Sequence, residues 1–179
     1  MNTSAKSAVD VRRLAPSELR AHLDGLAAVL HDCVDGGASV SYMAPFSRED
    51  ARAAFEGFVA DAERGRRLIL AAFSADEVVG TVQVILSLPP NQPHRAEIAK
   101  LLVHRSARRR GIAGLLMAQA EREAIAEGRT LLVFDTVTGS AAERLYVRLG
   151  FTPLGVIPDF ALYPDGRPCD ATVFWKSLA

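Results

Sequence analysis

The chain has 179 residues, with 21 lysines and arginines balanced by 21 aspartates and glutamates, and 49% of its residues are hydrophobic. That length suits one domain whose core needs no staples, and zero net charge gives no general affinity for nucleic acid or anionic membranes. No apolar run approaches the ~20 residues that span a bilayer, and Met1 to Val9 is polar, without the apolar centre of a secretory signal. The expectation is a cytoplasmic protein with a flexible segment at 1–8 and one domain over 9–179. Cys33 and Cys169 lie far apart without metal-like spacing, which favours reduced thiols over a disulfide.

Val9 to Leu14 reads as a first short strand. Pro16 and a simple cap at Ser17 open a helix whose apolar stripe is Leu19, Leu23, Leu26, Val29 and Leu30. Gly36 and Gly37 end it. A loop through Pro45 leads to Ser47, the cap of a second helix reaching about Arg64, with Phe55, Phe58 and Val59 turned inward. Leu68 to Ser74 and Val78 to Leu88 read as a hairpin around Ala75-Asp76-Glu77. Prolines 89, 90 and 93 break the chain before a largely buried strand, Ala96 to Val103. Ile112, Leu115, Leu116, Ala124 and Ile125 mark an alanine-rich helix ending near Gly128. Leu131 to Phe134 is a buried strand closing at Asp135, and Thr138-Gly139-Ser140 turns into a short helix carrying Tyr146. Phe151 to about Val156 and Ala171 to Trp175 form a last strand pair, joined by a loop from Pro158 to Asp170. The order β-α-α-β-β-β-α-β-α-β-β implies an α/β domain with a mixed sheet.

The run Arg108-Arg109-Arg110-Gly111-Ile112-Ala113-Gly114 lies between a strand and a helix. Such a junction binds anions, because first-turn amides lack intrahelical partners and the dipole is positive there. Glycine lets a phosphate approach the backbone, and the arginines add charge. The run lacks the Gly-x-x-x-x-Gly-Lys-Ser/Thr and Gly-x-Gly-x-x-Gly patterns of other phosphate loops. It does fit Arg/Gln-x-x-Gly-x-Gly/Ala, at Arg108, Gly111 and Ala113. Downstream, Ala142-x-x-x-Tyr146-x-x-x-Gly150-Phe151 places a tyrosine on a short helix before a Gly-Phe strand entry.

With these two runs in this order, the chain resembles the GNAT superfamily of acyl-CoA-dependent N-acetyltransferases over roughly residues 9 to 178. The resemblance implies a GNAT-type domain whose splayed strands hold acetyl-CoA as co-substrate, with no metal. It implies pyrophosphate contacts from Arg108, Arg109, Arg110, Gly111, Ile112, Ala113 and Gly114. Backbone groups of Leu101 and Val103, with Leu102 between them, would meet the pantetheine arm and the thioester carbonyl.

Acetyl transfer to an amine needs a base, a stabilised carbonyl oxygen and a proton for the departing thiolate. Tyr146 suits the last task, since a phenol of pKa about 10 is close in basicity to a thiolate; packing on an amphipathic helix is its structural alternative. For the base, Glu97 stands near the start of an otherwise apolar strand, where several family members carry a catalytic glutamate, and Asp135 closes a strand at its C-terminal end. Either acid acts directly or through water; pairing of Glu97 with Arg95 or Lys100, and a turn role for Asp135, are the alternatives. His22, His31, His94 and His104 have no partner at metal-ligand spacing. One departure concerns Gly139, seven residues before Tyr146, where many members carry an asparagine that bonds the pantetheine arm.

Local runs such as Gly36-Gly37-Ala38-Ser39-Val40, Arg95-Ala96-Glu97 and Pro164-Asp165-Gly166-Arg167 resemble the tabtoxin-resistance branch of the family. That implies a small zwitterionic amine as substrate, among them amino-acid-like or β-lactam toxins, and a monomer or homodimer. Two other functions stay open: acetylation of a protein N-terminus or lysine, which needs an open peptide groove, and a non-catalytic acyl-CoA-binding module. The loops Gly36 to Pro45 and Pro158 to Asp170 are long enough to close a small pocket.

Overall fold

Alternation along the strands decides the layering. On β2 (Arg67–Ser74), Leu68, Leu70 and Ala72 join one core, while Ile69, Ala71 and Phe73 join another on the opposite face. The computed structural model describes residues 8–178, so the expected flexible segment at 1–8 falls, except for Ala8, outside the described residues. The remaining elements are β1 (Val9–Arg13), α1 (Pro16–Ala21), α2 (Leu23–Asp35), α3 (Arg48–Glu63), β3 (Glu77–Ile85) and β4 (Arg95–Val103). After them come a 3-10 turn (Arg105–Ala107), α4 (Ile112–Ala126), β5 (Leu131–Val137), α5 (Ala141–Arg148), β6 (Thr152–Leu162) and β7 (Pro168–Ser177).

The seven strands form one open mixed sheet in the order β1-β2-β3-β4-β5-β7-β6. Helices α1 to α3 cover one face through Leu19, Leu26, Leu30 and Phe55, and α4 and α5 cover the other through Ile112, Leu116, Met117 and Tyr146. This is the expected α/β class and element order, with the first helix divided in two. The division falls at His22, whose ring packs edge-on against Phe73 at 5.0 Å.

Several local expectations are corrected. The first helix is capped at Ala15, one residue before Pro16, and Glu18 Oε2 accepts the Ala15 amide at 2.9 Å. Ser17 is therefore inside the helix. β3 ends at Ile85, because the Leu86 and Ser87 amides both donate to Arg66 O. On α4 the buried stripe runs through Ile112, Leu116, Met117, Ala120 and Ala124, leaving Leu115 and Ile125 exposed. β5 continues to Val137, so Asp135 lies within the strand and not at its end.

The expected loop from Pro158 to Asp170 is mostly strand, with only 163–167 turning between β6 and β7. Pro153, Gly155 and Pro158 do not interrupt β6, because it is the sheet edge, where missing amides are tolerated. Register shifts at Pro153/Gly155 and Ile157/Ala161 absorb them. Leu154, Val156, Phe160 and Leu162 remain exposed on this strand.

Candidate active site

β4 and β5 run parallel and pair only between Arg95–Glu97 and Leu131–Val133. Beyond that point β5 keeps its ladder with β7 as far as Val137, whereas β4 follows β3. Gln83 faces Ala99 and Thr81 faces Leu102, so β4 carries one extra residue, and Lys100 takes a left-handed φ of 51°. A bulge of this kind bends its strand and increases the local twist. Left-handed backbone at a non-glycine residue costs about 1–3 kcal/mol and collects at ligand sites. The strands therefore part, opening a cavity of about 970 Å³ lined by both and by α5.

One end of the cavity meets the start of α4. Gly111 is its cap with φ 79°, and the first intrahelical bond is donated by the Leu115 amide to Gly111 O at 3.2 Å. The amides of Ile112, Ala113 and Gly114 precede that bond, as an anion site requires. Arg109 is also left-handed (φ 62°), so the approach to the helix is a curled run of amides. A side chain added at Gly111 or Gly114 would meet nothing within 4 Å, so the surface there is open to a ligand. Arg108 lines the cavity and donates Nε to Val103 O at 3.1 Å, beside the Cys33 thiol at 3.7 Å. The Val103 carbonyl is thus engaged, and burial pushes the Cys33 thiol up from its ordinary pKa despite the arginine. Arg110 turns toward Ser74 on β2. Both cysteines are buried and free.

Asp32 anchors this turn. From the buried side of α2 it accepts the Arg105 amide at 2.7 Å and Arg105 Nε at 2.8 Å, with His104 Nε2 at 3.5 Å. Burial raises its proton affinity, but the Arg105 bonds and the nearby His104 outweigh that and hold the carboxyl below its usual range. Gly80 on β3 seats the start of α4, because a Cβ there would lie 3.0 Å from Leu102 O and 3.1 Å from Leu116 Cδ1.

The other end of the cavity holds the acids. Glu97 faces Val133 across the last β4–β5 pair, and Asp135 follows two residues later on the same face of β5. Glu97 is held by Arg95 Nη2 at 2.9 Å. Asp135 opens into the cavity; removal from bulk water and the Glu97 charge raise its carboxyl above the usual range, with Lys100 opposing. Tyr146 closes the opposite wall, fixed by Phe134 at 4.5 Å and Phe174 at 5.8 Å between ring centres. Burial, then the Asp135 charge, pushes its phenol well above its ordinary value.

The Tyr146 helix ends in a full Schellman motif, with the Gly150 amide on Val147 O and the Phe151 amide on Tyr146 O at 3.1 and 3.0 Å. Gly139 sits at the opposite end of that helix, where its amide and carbonyl bond Glu143 and Arg144, while Ser140 beside it lines the cavity. The roof is the 37–46 loop and the β6–β7 turn, joined by Ser39 Oγ to Leu162 O at 2.7 Å and the Ala44 amide to Pro164 O at 2.9 Å.

Of the residues singled out in the sequence, Glu97, Leu101, Leu102, Val103, Arg108, Ala113, Asp135 and Tyr146 line this one cavity. Arg109, Gly111 and Gly114 belong to the turn and helix start beside Arg108 and Ala113 without lining the cavity, and Ile112 is buried in the core. Sequence reasoning missed Asp32 and passed over Lys100. The available signals were an acid set among Val29, Leu30 and Cys33 on an apolar stripe, and a lysine inside an apolar strand.

A sheet opened between parallel strands, with a helix start at one end and acids with a phenol at the other, defines a two-ended site. One end suits a phosphate-bearing ligand, and the other presents acids and a phenol that can exchange protons. The model of the acetyltransferase (GNAT) family matches residues 36–151, and the chain belongs to that family. Solved structures share the fold. An N-acetyltransferase from Staphylococcus aureus Mu50 is 22% identical, with 97% of this chain and 100% of that one covered at a TM-score of 0.79. A ribosomal-protein-alanine N-acetyltransferase from Brucella melitensis is 22% identical, covering 94% and 99% at 0.77. A Salmonella typhimurium protein determined with its cofactor acetyl-CoA is 20% identical, covering 96% and 95% at 0.78. No helix among the described residues is long and apolar enough to cross a membrane.

Proposed function

We propose that this chain transfers acetyl from acetyl-CoA directly to the primary amine of a small molecule, with both substrates bound in one cavity. The observation that carries this reading is the opening between β4 and β5, with the α4 amides at one end and Glu97, Asp135 and Tyr146 at the other. The open backbone at Gly111 and Gly114 fits a pyrophosphate. Arg108, on the cavity wall, and Arg109, in the turn before Gly111, supply positive charge near them, while Arg110 turns toward Ser74. Acetyl-CoA supplies an activated acyl thioester; the chain supplies placement and proton control.

Asp135 takes a proton from the bound ammonium, directly or through water, because burial and the Glu97 charge raise its proton affinity, while Glu97 is held by Arg95. The amine nitrogen then bonds to the acyl carbon, the carbon–sulfur bond breaks, and the second proton that the nitrogen sheds on becoming an amide goes to the departing sulfur, giving an amide and a free thiol. Tyr146 faces the sulfur's path. Its raised pKa keeps the phenol protonated and favours hydrogen-bond donation to the departing thiolate over complete proton transfer.

The joined roof over the acceptor end favours a small acceptor over a peptide. The local runs shared with the tabtoxin-resistance branch support an amino-acid-like amine or a β-lactam toxin. The test is product mass after incubation with acetyl-CoA and a panel of amino acids, β-lactam dipeptides, simple amines and peptides. Acetylated small amines are expected. Acetylation of peptides alone would contradict the small-molecule reading, and no acetylation would contradict the enzyme.

A further inference from the structure

Acetyl transfer by Asp135 and Tyr146 leaves Lys100 without a task, and Lys100 is expensive to keep. It sits on the β4 bulge with φ 51°, half-buried in the wall of the cavity, three residues beyond Glu97. Its ammonium donates to Ser41 Oγ at 2.9 Å and lies 5.6 Å from the Tyr42 ring centre. Ser41 is itself left-handed at φ 81°, so two non-glycine residues hold costly backbone at one contact.

Among the described residues Lys100 joins no ion pair. Glu97, three residues earlier on the same strand, is engaged by Arg95 at 2.9 Å, and Asp135 acts on Lys100 through its charge without a contact. By contrast Lys176 has Glu121 at 2.8 Å. Burial and the nearby Arg67 charge pull the Lys100 ammonium below the usual lysine range, with Asp135 opposing. Beyond a hydroxyl, a ring and the unbonded charge of Asp135, this cation withdrawn from water has no anion in contact to offset its desolvation. Across the same cavity Asp135 presents the opposite sign. The two poles match a molecule that carries an ammonium and a carboxylate.

We propose that Lys100, held at the β4 bulge by Ser41 and Tyr42, is a carboxylate-binding subsite, so that the acceptor is an amino acid or close analogue with its carboxylate on Lys100 and its amine toward Asp135. The inference rests on the acetyl-transfer reading for the fate of the amine, but not for the binding of the carboxylate.

The test pairs each of several α-amino acids with its decarboxylated amine and its methyl ester. KM and kcat are measured for the wild type, Lys100→Met, which keeps the stem without the charge, and Lys100→Arg. The wild type is expected to favour the amino acid, and Lys100→Met to raise KM for it about 10-fold or more. KM for the amine and the ester should change far less than for the amino acid, any change shared by all three reporting the Lys100 charge on Asp135; Lys100→Arg should recover part of the loss, and stabilisation by acetyl-CoA should persist throughout. Equal losses for all three acceptors would make Lys100 a brace for the 37–46 loop and overturn the subsite, as would a wild type indifferent to the carboxylate. If no acceptor is acetylated, the acetyl-transfer reading fails by itself. Calorimetric binding of the same pairs then decides the subsite: a preference for the amino acid that Lys100→Met abolishes supports it, and absence of that preference overturns it.

Discussion

Tyr146 and Asp135 lie close enough that charge on the acid raises the proton affinity of the phenol. Tyr146→Phe keeps the contacts with Phe134 and Phe174 and removes only the hydroxyl. Its kcat is expected to fall roughly 10-fold or more with little change in acetyl-CoA affinity; wild-type turnover would leave Tyr146 a packing role. Asp135 must be ionised to accept a proton, so kcat/KM should rise as pH climbs through its raised pKa. Asp135→Asn should abolish that limb, whereas Glu97→Gln should move it to lower pH, because the Glu97 charge helps to raise Asp135. A limb unmoved by either change would remove both acids from proton transfer. Tyr146 was singled out because it fits a family signature, and Glu97 and Asp135 because they interrupt apolar strands; all three line the cavity. Lys100 interrupts its strand in the same way. Its separate task was hidden because it follows from a bulge, and a bulge shows only once β3 and β4 are paired.

The cofactor end depends on how α4 and the 3-10 turn are seated. Gly80→Val would drive a branched side chain into Leu102 O and Leu116, and is expected to cost about 1–3 kcal/mol. It should weaken acetyl-CoA binding as α4 shifts; unchanged binding would mean that the helix start does not position the ligand. Asp32 acts from α2 on the same turn. Its folded-state pKa is lowered, so its contribution is complete above the unfolded value of about 3.9 and is lost as pH falls through that value toward the folded one. Acid unfolding of Asp32→Asn should therefore show a weaker pH dependence below about pH 4 than the wild type, at the cost of about 2 kcal/mol near neutrality. Identical acid profiles would contradict this anchoring. Most elements were readable from apolar periodicity and turn residues, and caps such as Ser47 and Gly150 were placed correctly, although the first helix is two and the α4 stripe runs through other residues than expected. Boundaries failed where tertiary context overrode local chemistry. An edge position let β6 keep its prolines, and pairing with β7 carried β5 past Asp135.

Across the whole molecule, separated stretches build one cavity: the 37–46 loop, the parted strands β4 and β5, the turn into α4, α5 and the β6–β7 hairpin. The parting itself was expected only from family resemblance, since the side chains of Leu101 and Val103 are ordinary for a strand. The central claim is that the α4 start carries the phosphates of acetyl-CoA, and Gly114→Asp tests it most directly. The site is helical, an added side chain meets nothing within 4 Å, and an acid in the first turn favours the helix dipole. The ligand-free variant should therefore melt at or above the wild-type temperature. With acetyl-CoA at 100 times its Kd, the wild type should gain about 2.7 kcal/mol of stability. The variant should gain almost nothing, because its carboxylate occupies the place of the pyrophosphate. A full gain in a folded Gly114→Asp protein would contradict the account.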